Sequence, residues 1–443
     1  MKIKSFLLPG IFFLLSSFLI LYVFYKAQIV HNGDKLDYYK PYYYFTFFLL
    51  FCSLISFFLS KNFIFNLTLT SISIIFASFF VEGYFHYVEV SDKENTNPMT
   101  AKARVEFYEE ARQNEGVNTI PIPPQAFLDV ESLDNLNIIP LSGHSNNKNF
   151  YCAKGQYIII NHDRYGFNNP DSEWNKSSID YFIVGDSNIY GACVKEEQNI
   201  NGYLRKLSGK TVLNIGQMGN GPLLEYATLK EYFKKDKTKR VVWVYYENND
   251  LGNLIFEQKI PILQKYYNNE DFTQNLIFKQ EEINKIIINK IETMYQDLTS
   301  KPEDRDIKKF EPLKFIKLYF TRQFIVNLLF TEEYPVNNLI DIVNKTRNLV
   351  EKNNAIFYFV YLPDHYRYQK NQNGKYMMYD TIIKKLSEKN ILIIDLHKDF
   401  FSKVNALEYM DKNDKGYNHY NEKGNLVIAE TIIKKINEYE KKF

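Results

Sequence analysis

The chain has 443 residues, 45% of them hydrophobic and 24% charged, and a formal charge of +2. That length exceeds one small core, and near-balanced charge without an Arg/Lys-rich tract excludes the concentrated basic surface of a nucleic-acid binder. Cys52, Cys152 and Cys193 are too few and too scattered for a zinc site or a disulfide scaffold, and with no nucleotide or metal motif no cofactor is expected.

Residues 5–25, 41–60 and 62–81 contain no charge. Each is about 20 residues, the length a helix needs to cross a hydrocarbon core of roughly 30 Å. The first is longer than a usual signal h-region and lacks a small-x-small cleavage site before Lys26. Three transmembrane helices are therefore expected, forming an anchor over 1–82 in the lipid bilayer. Lys2 and Lys4 precede the first helix and Lys61 separates the second from the third, while Lys26, Lys35 and Lys40 in the first loop are diluted by Asp34 and Asp37. Glu82, Glu89 and Asp92 follow the third. The positive-inside rule then places the N-terminus in the cytoplasm and the remainder outside, as a multi-pass inner-membrane protein with a periplasmic domain. In that compartment Cys152 and Cys193 could pair, although two buried free thiols are the preferred reading.

From 83 to 178 the chain is polar and turn-rich, and "TIPIPPQAF" and "NIIPLSGHSNNKNF" read as extended or loop segments. This is an extracytoplasmic lead-in to the domain that follows, 179–443. There, 180–185, 210–216, 240–246, 355–363 and 391–396 are short β-branched or aromatic runs, mostly without alternation, as in strands covered on both faces. Helical stretches at 199–208, 222–235, 335–353, 376–390 and 422–442 fall between and after them. Strand–helix alternation implies an α/β fold, a doubly wound parallel sheet with its active residues in loops at the carboxyl ends of strands. An insertion at about 253–335 interrupts it. Within that insertion Ile283, Ile287, Ile291, Met294 and Leu298 predict an amphipathic helix packed on the domain core.

Chemistry-bearing residues gather at the predicted strand ends. The first strand ends in Gly185-Asp186-Ser187, the second in Gly216, Gly219 and Gly221, and the third in Glu247, Asn248, Asn249 and Asp250. His419 precedes the last helix. A serine nucleophile needs a base for its proton and donors for the oxyanion, and this order supplies both. Alone, Gly-Asp-Ser is a common turn, Asn249 and Asp250 could cap a helix, and His419 could lie on the surface. The case rests on their joint placement.

The order Gly-Asp-Ser, Asn-x-Gly-x-x-Gly, a strand-end Asn-Asp and a late His resembles the SGNH (GDSL-type) hydrolases over roughly 180–440, and "DRYGFNNPDSEW" is similar to membrane-anchored bacterial members. The resemblance implies a flavodoxin-like domain carrying a serine esterase or acyl-transfer site. Ser187 would be the nucleophile and an oxyanion donor, Gly219 N–H and the Asn249 amide would complete the oxyanion hole, and His419 would be the base. Two positions depart from the pattern. Glu247 replaces a glycine, and the acid usually found two or three residues before the histidine is replaced by Gly416 and Tyr417. Asp414 and Asp411 are the nearest carboxylates. Either the loop brings Asp414 to His419, a backbone carbonyl orients the ring, or the enzyme is slow or inactive. Asp364 and His365 form a second carboxylate–histidine pair near the same edge. As sequence neighbours they are expected to point apart, in a substrate-contact or structural role.

The expected function is a membrane-anchored serine esterase acting on an acylated surface glycan or lipid. One alternative is O-acyl transfer to a surface polysaccharide, supplied by a separate membrane acyl-donor protein. Another is an inactive scaffold that binds glycan.

Overall fold

The computed structural model describes residues 7–33, 36–96, 101–117, 119–129, 136–151, 158–300, 312–329, 334–369, 378–411 and 419–442. The chain divides into two compact units, Met1–Asn95 with Lys308–Glu333, and Thr96–Ile307 with Tyr334–Phe443.

In the first unit the three apolar segments are helical, at Leu7–Phe24, Leu36–Ser56 and Lys61–Thr96. Among the described residues, two helices are long and apolar enough to cross a membrane, Leu7–Val30 and Lys61–Val88. This corrects the expected count of three. The middle helix has 21 residues, but Lys40, Pro41 and a run of tyrosines occupy its first two turns. Those residues lower its hydropathy where a spanning helix would carry aliphatic side chains.

In the second unit, strands β3 (Tyr181–Gly185), β4 (Val212–Asn214), β5 (Arg240–Tyr246), β6 (Ile356–Leu362) and β7 (Leu392–Asp395) form a parallel sheet. They follow the hairpin of β1 (Lys148–Tyr151) and β2 (Ile158–Asn161). The order β4-β3-β5-β6-β7 is the flavodoxin-like arrangement. Strand β3 and the edge strand β4 are buried throughout, which accounts for the unbroken apolar run of β3. Helices Pro222–Tyr232, Gln280–Ser300 and Val336–Glu351 contribute to the core on one face of the sheet, and Ile200–Ser208 and Glu422–Glu440 to that on the other. Ile283, Ile287 and Ile291 lie in the first of these cores, as their spacing predicts.

The region before β3 differs from the loop reading. Ala101–Glu115 is a helix, built from the Ala, Glu and Arg content that favours one, without an apolar run to signal it. Residues 163–174 are pinned to the sheet by buried polar groups. Asp163 is fully buried and accepts from Trp174 Nε1 (2.6 Å), Asn169 Nδ2 (2.8 Å) and the N–H groups of Tyr165 and Phe167. Burial pushes its carboxyl up to about 6 against those bonds. Asn169 in turn pairs with both backbone groups of Asn214, and Glu173 accepts from Val212 N, so the lead-in covers the edge strand β4. Cys193 is disulfide-bonded, which corrects the free-thiol reading for that residue. Cys152 lies outside the described residues.

Candidate active site

Ser187 opens a single helical turn, Ser187–Tyr190, directly after β3. Asp186 caps that turn by accepting from Asn188 N at 2.9 Å, and Ser187 is the one residue of 181–192 that is not buried. Gly185 and Gly216 make the turn possible. A Cβ at Gly216 would meet Ile189 and Tyr190 N, the latter at 2.9 Å, and one at Gly185 would meet Ile189 Cγ1 at 2.6 Å. The far end of the turn is held by Asn168 Nδ2 on Tyr190 O (2.8 Å) and Asn201 Nδ2 on Ile189 O (2.7 Å). Tyr190 OH also meets His162 Nε2 at 2.9 Å.

His419 comes from the other end of the chain. Its backbone oxygen accepts from Asp411 N (2.9 Å), Met410 and Tyr420 form an antiparallel bridge, and Tyr420 OH donates to Pro363 O just beyond β6. This closure, just before the Asn421-capped helix Glu422–Glu440, brings the buried imidazole to the serine. His419 Nε2 lies 2.9 Å from Ser187 Oγ, the distance at which the hydroxyl donates to an unprotonated ring. Asp186 Oδ2 is a longer alternative acceptor at 3.3 Å. Asp186 is fully buried, which raises its carboxyl above the ordinary value, while the Asn188 N–H and the nearby His419 oppose that shift. Asp414, the expected acid, lies outside the described residues.

Among the described residues, the backbone N–H groups of Ser187 and Gly219 meet no acceptor. Gly219 sits at φ +71°, a left-handed conformation that glycine takes without strain. Asn249 precedes helix Asp250–Glu257 without capping it, and its Oδ1 is buried with no hydrogen-bond partner. Among the described residues its Nδ2 also donates to no group, whereas an asparagine kept to cap the helix would accept from the first turn through Oδ1. The glycine and asparagine loops are interlocked. Asn253 Nδ2 donates to Gly219 O (3.2 Å), and the Glu257 carboxylate accepts from Gly221 N (2.7 Å), Leu223 N (2.9 Å) and Leu224 N. Those last donors belong to the first turn of Pro222–Tyr232, which has no intrahelical acceptors for them.

Beneath the loops lie Asp186, Glu225, Asp250 and Glu257, all with no exposed surface. Burial first, and then mutual repulsion, push Glu225 and Asp250 well above the ordinary carboxylate range. Asp250 accepts from Tyr246 N at 2.7 Å and so fixes the turn that carries Asn249.

Glu247, at the position where a glycine was expected, has a distinct structural role. Its carboxylate receives Tyr361 OH (2.6 Å), Asp364 N (3.0 Å) and a bidentate Arg367, which clamps the β5 end to the segment after β6. Asp364 and His365 do not point apart. His365 Nδ1 meets Asp364 Oδ1 at 2.9 Å, and Asn248 Nδ2 donates to the same carboxylate oxygen. Burial alone would raise Asp364, but these bonds hold it below the usual value.

Sequence reasoning missed Gln125. It lies in the short helix Pro124–Phe127, whose Phe127 is core, and its Oε1 is 3.1 Å from where a Cβ on Gly219 would stand. Among the described residues its side chain makes no hydrogen bond. The lead-in therefore brings the Gln125 amide beside Gly219, and no motif at Gln125 announces it.

No protein-family model and no curated protein matches the sequence. A solved structure described as a lipolytic protein of the G-D-S-L family, from Desulfitobacterium hafniense DCB-2, matches 58% of this chain and 99% of that chain, at 15% identity and a TM-score of 0.30. The chemistry of this chain rests on its own side chains.

Proposed function

We propose that the protein is a membrane-anchored, extracytoplasmic serine esterase that removes acyl groups, acetyl foremost, from a cell-surface glycan or lipid. The observation that carries this reading is the 2.9 Å pairing of Ser187 Oγ with His419 Nε2, 232 residues apart in sequence. The N–H groups of Ser187 and Gly219 and the amide of Asn249, uncommitted among the described residues, support it as oxyanion donors. Ser187 Oγ attacks the ester carbon as His419 takes its proton, and the carbonyl oxygen becomes the oxyanion. His419 then returns the proton to the departing alcohol, leaving acyl-Ser187. Water, deprotonated by the same ring, attacks the acyl carbon and releases the acid and free serine. The two long apolar helices support membrane anchoring. The disulfide at Cys193 supports an oxidising compartment.

The test is hydrolysis of short-chain esters by the detergent-purified full chain, wild type beside Ser187→Ala and His419→Ala. Each substitution is expected to lower kcat by about 10⁴-fold or more. Adding an alcohol acceptor distinguishes transfer, which yields a new ester, from hydrolysis, which yields acid. Equal activity in wild type and Ser187→Ala, or none in a folded wild type, rejects the esterase.

A further inference from the structure

The segment of the insertion that groups with the apolar helices, Lys308–Glu333, contains two short helices, Pro312–Ile316 and Tyr319–Leu329. Glu82, in the apolar stretch Lys61–Val88, is fully buried. Its carboxylate accepts from Phe320 N (3.1 Å), Thr321 N (2.8 Å) and Thr321 Oγ1 (2.8 Å). Those N–H groups belong to the first turn of Tyr319–Leu329, where no intrahelical acceptor exists and a negative charge complements the helix dipole. Aromatic contacts surround this cap. Phe315 packs on Phe79, Phe320 stands edge-on to His86, Phe324 packs on Phe85, and the Arg322 guanidinium lies over the Tyr42 ring at 5.6 Å.

The docked segment turns apolar side chains outward. Leu313 is 68% exposed, Ile316 64% and Phe324 54%, with Ile325 also exposed. Lys314, Lys317 and Arg322 are interspersed among them. Lys61–Val88, on which the segment packs, is likewise exposed along most of its length. Aliphatic and aromatic side chains beside flanking cations, held against a helix apolar all round, match the composition of an element lying in a membrane interface. We infer that residues 312–329 form an interfacial helical segment whose partner is the lipid bilayer. Leu313, Ile316, Phe324 and Ile325 enter the acyl boundary and the exposed Lys317 meets anionic headgroups. The inference rests on the proposed lipid embedding of Lys61–Val88.

The test uses the full chain in lipid nanodiscs containing phosphatidylglycerol, in a Cys52→Ser background without reductant. Single cysteines at Ile316 and Phe324 carry an environment-sensitive fluorophore, and nitroxide on the lipid acyl chains is the quencher. Ile74→Cys on the apolar helix and Lys352→Cys on the other unit are the controls. Labels at 316 and 324 are expected to be quenched within about twofold of the label at 74, most strongly by a shallow nitroxide, and the label at 352 to be unquenched. Glu82→Ala, which removes the cap, is expected to weaken quenching at 324. Quenching at 74 with none at 316 and 324 overturns the inference and leaves a protein as the occupant of that face. No quenching at 74 instead refutes the embedding of Lys61–Val88, and the inference falls with it.

Discussion

Among the described residues the Asn249 side chain and the Gly219 N–H meet no hydrogen-bond partner, although the backbone oxygens of both residues accept from Asn253. The Asn249 side chain neither caps the helix it precedes nor hydrogen-bonds to another described residue. If it donates to the oxyanion, Asn249→Ala is expected to lower kcat by about 10²–10³-fold with KM little changed. A change in KM alone would make it a ground-state contact. Gln125 is a different case, because its side chain lies against Gly219 and not against the serine. Gln125→Ala is expected to lower kcat/KM about tenfold, the worth of one hydrogen bond to substrate, without shifting Tm. An unchanged kcat/KM would reduce Gln125 to a lining residue.

Helix Asp250–Glu257 links the Asn249 loop to the Gly219 turn, and Glu257 at its last position makes that link. Burial pushes the Glu257 carboxyl from 4.5 up to about 7, even with three N–H groups bonded to it. A carboxyl whose native pKa exceeds its unfolded value stabilises the fold fully below the unfolded value and loses that contribution as pH rises through the native one. The stability advantage of wild type over Glu257→Gln is therefore expected to shrink between pH 5 and pH 8, by at most about 1.4 kcal/mol per pH unit, in urea unfolding. An advantage that grows over that range would mean that the bound N–H groups outweigh burial.

Elements of this kind were partly legible in advance. Strands β3, β5 and β6 announced themselves as unbroken apolar runs, and Ser187, Gly219, Asn249 and His419 could be placed at the end of the sheet because strand order determines which loops share an edge. Glu247 could not be read, because its partners Tyr361 and Arg367 are over 100 residues away and meet it only once β5 and β6 pair. The Asp364–His365 contact was misread because it depends on the turn after β6 and not on the alternation of a strand. Helix Ala101–Glu115 and the Asp163 hub left no apolar periodicity to find.

At the scale of the molecule, the proposed extracytoplasmic setting draws on the disulfide at Cys193. Cys193 lies just beyond the turn that bears Ser187. Reduction of the full chain is expected to lower its stability by about 2–4 kcal/mol and to shift Tm downward. An unchanged Tm after verified reduction would show that the cross-link does not constrain folding. The lead-in also belongs to this scale, since Asn168 and His162 hold the serine turn from a stretch that precedes the sheet. Its removal would loosen the turn that carries Ser187 and not merely shorten the chain.

The most direct measurement is mass spectrometry of the full chain after exposure to a serine-directed fluorophosphonate. The nucleophile assignment predicts a single covalent adduct on the peptide containing Ser187, absent in Ser187→Ala and formed far more slowly in His419→Ala. An adduct on another residue, or none on a folded wild-type chain, would contradict it.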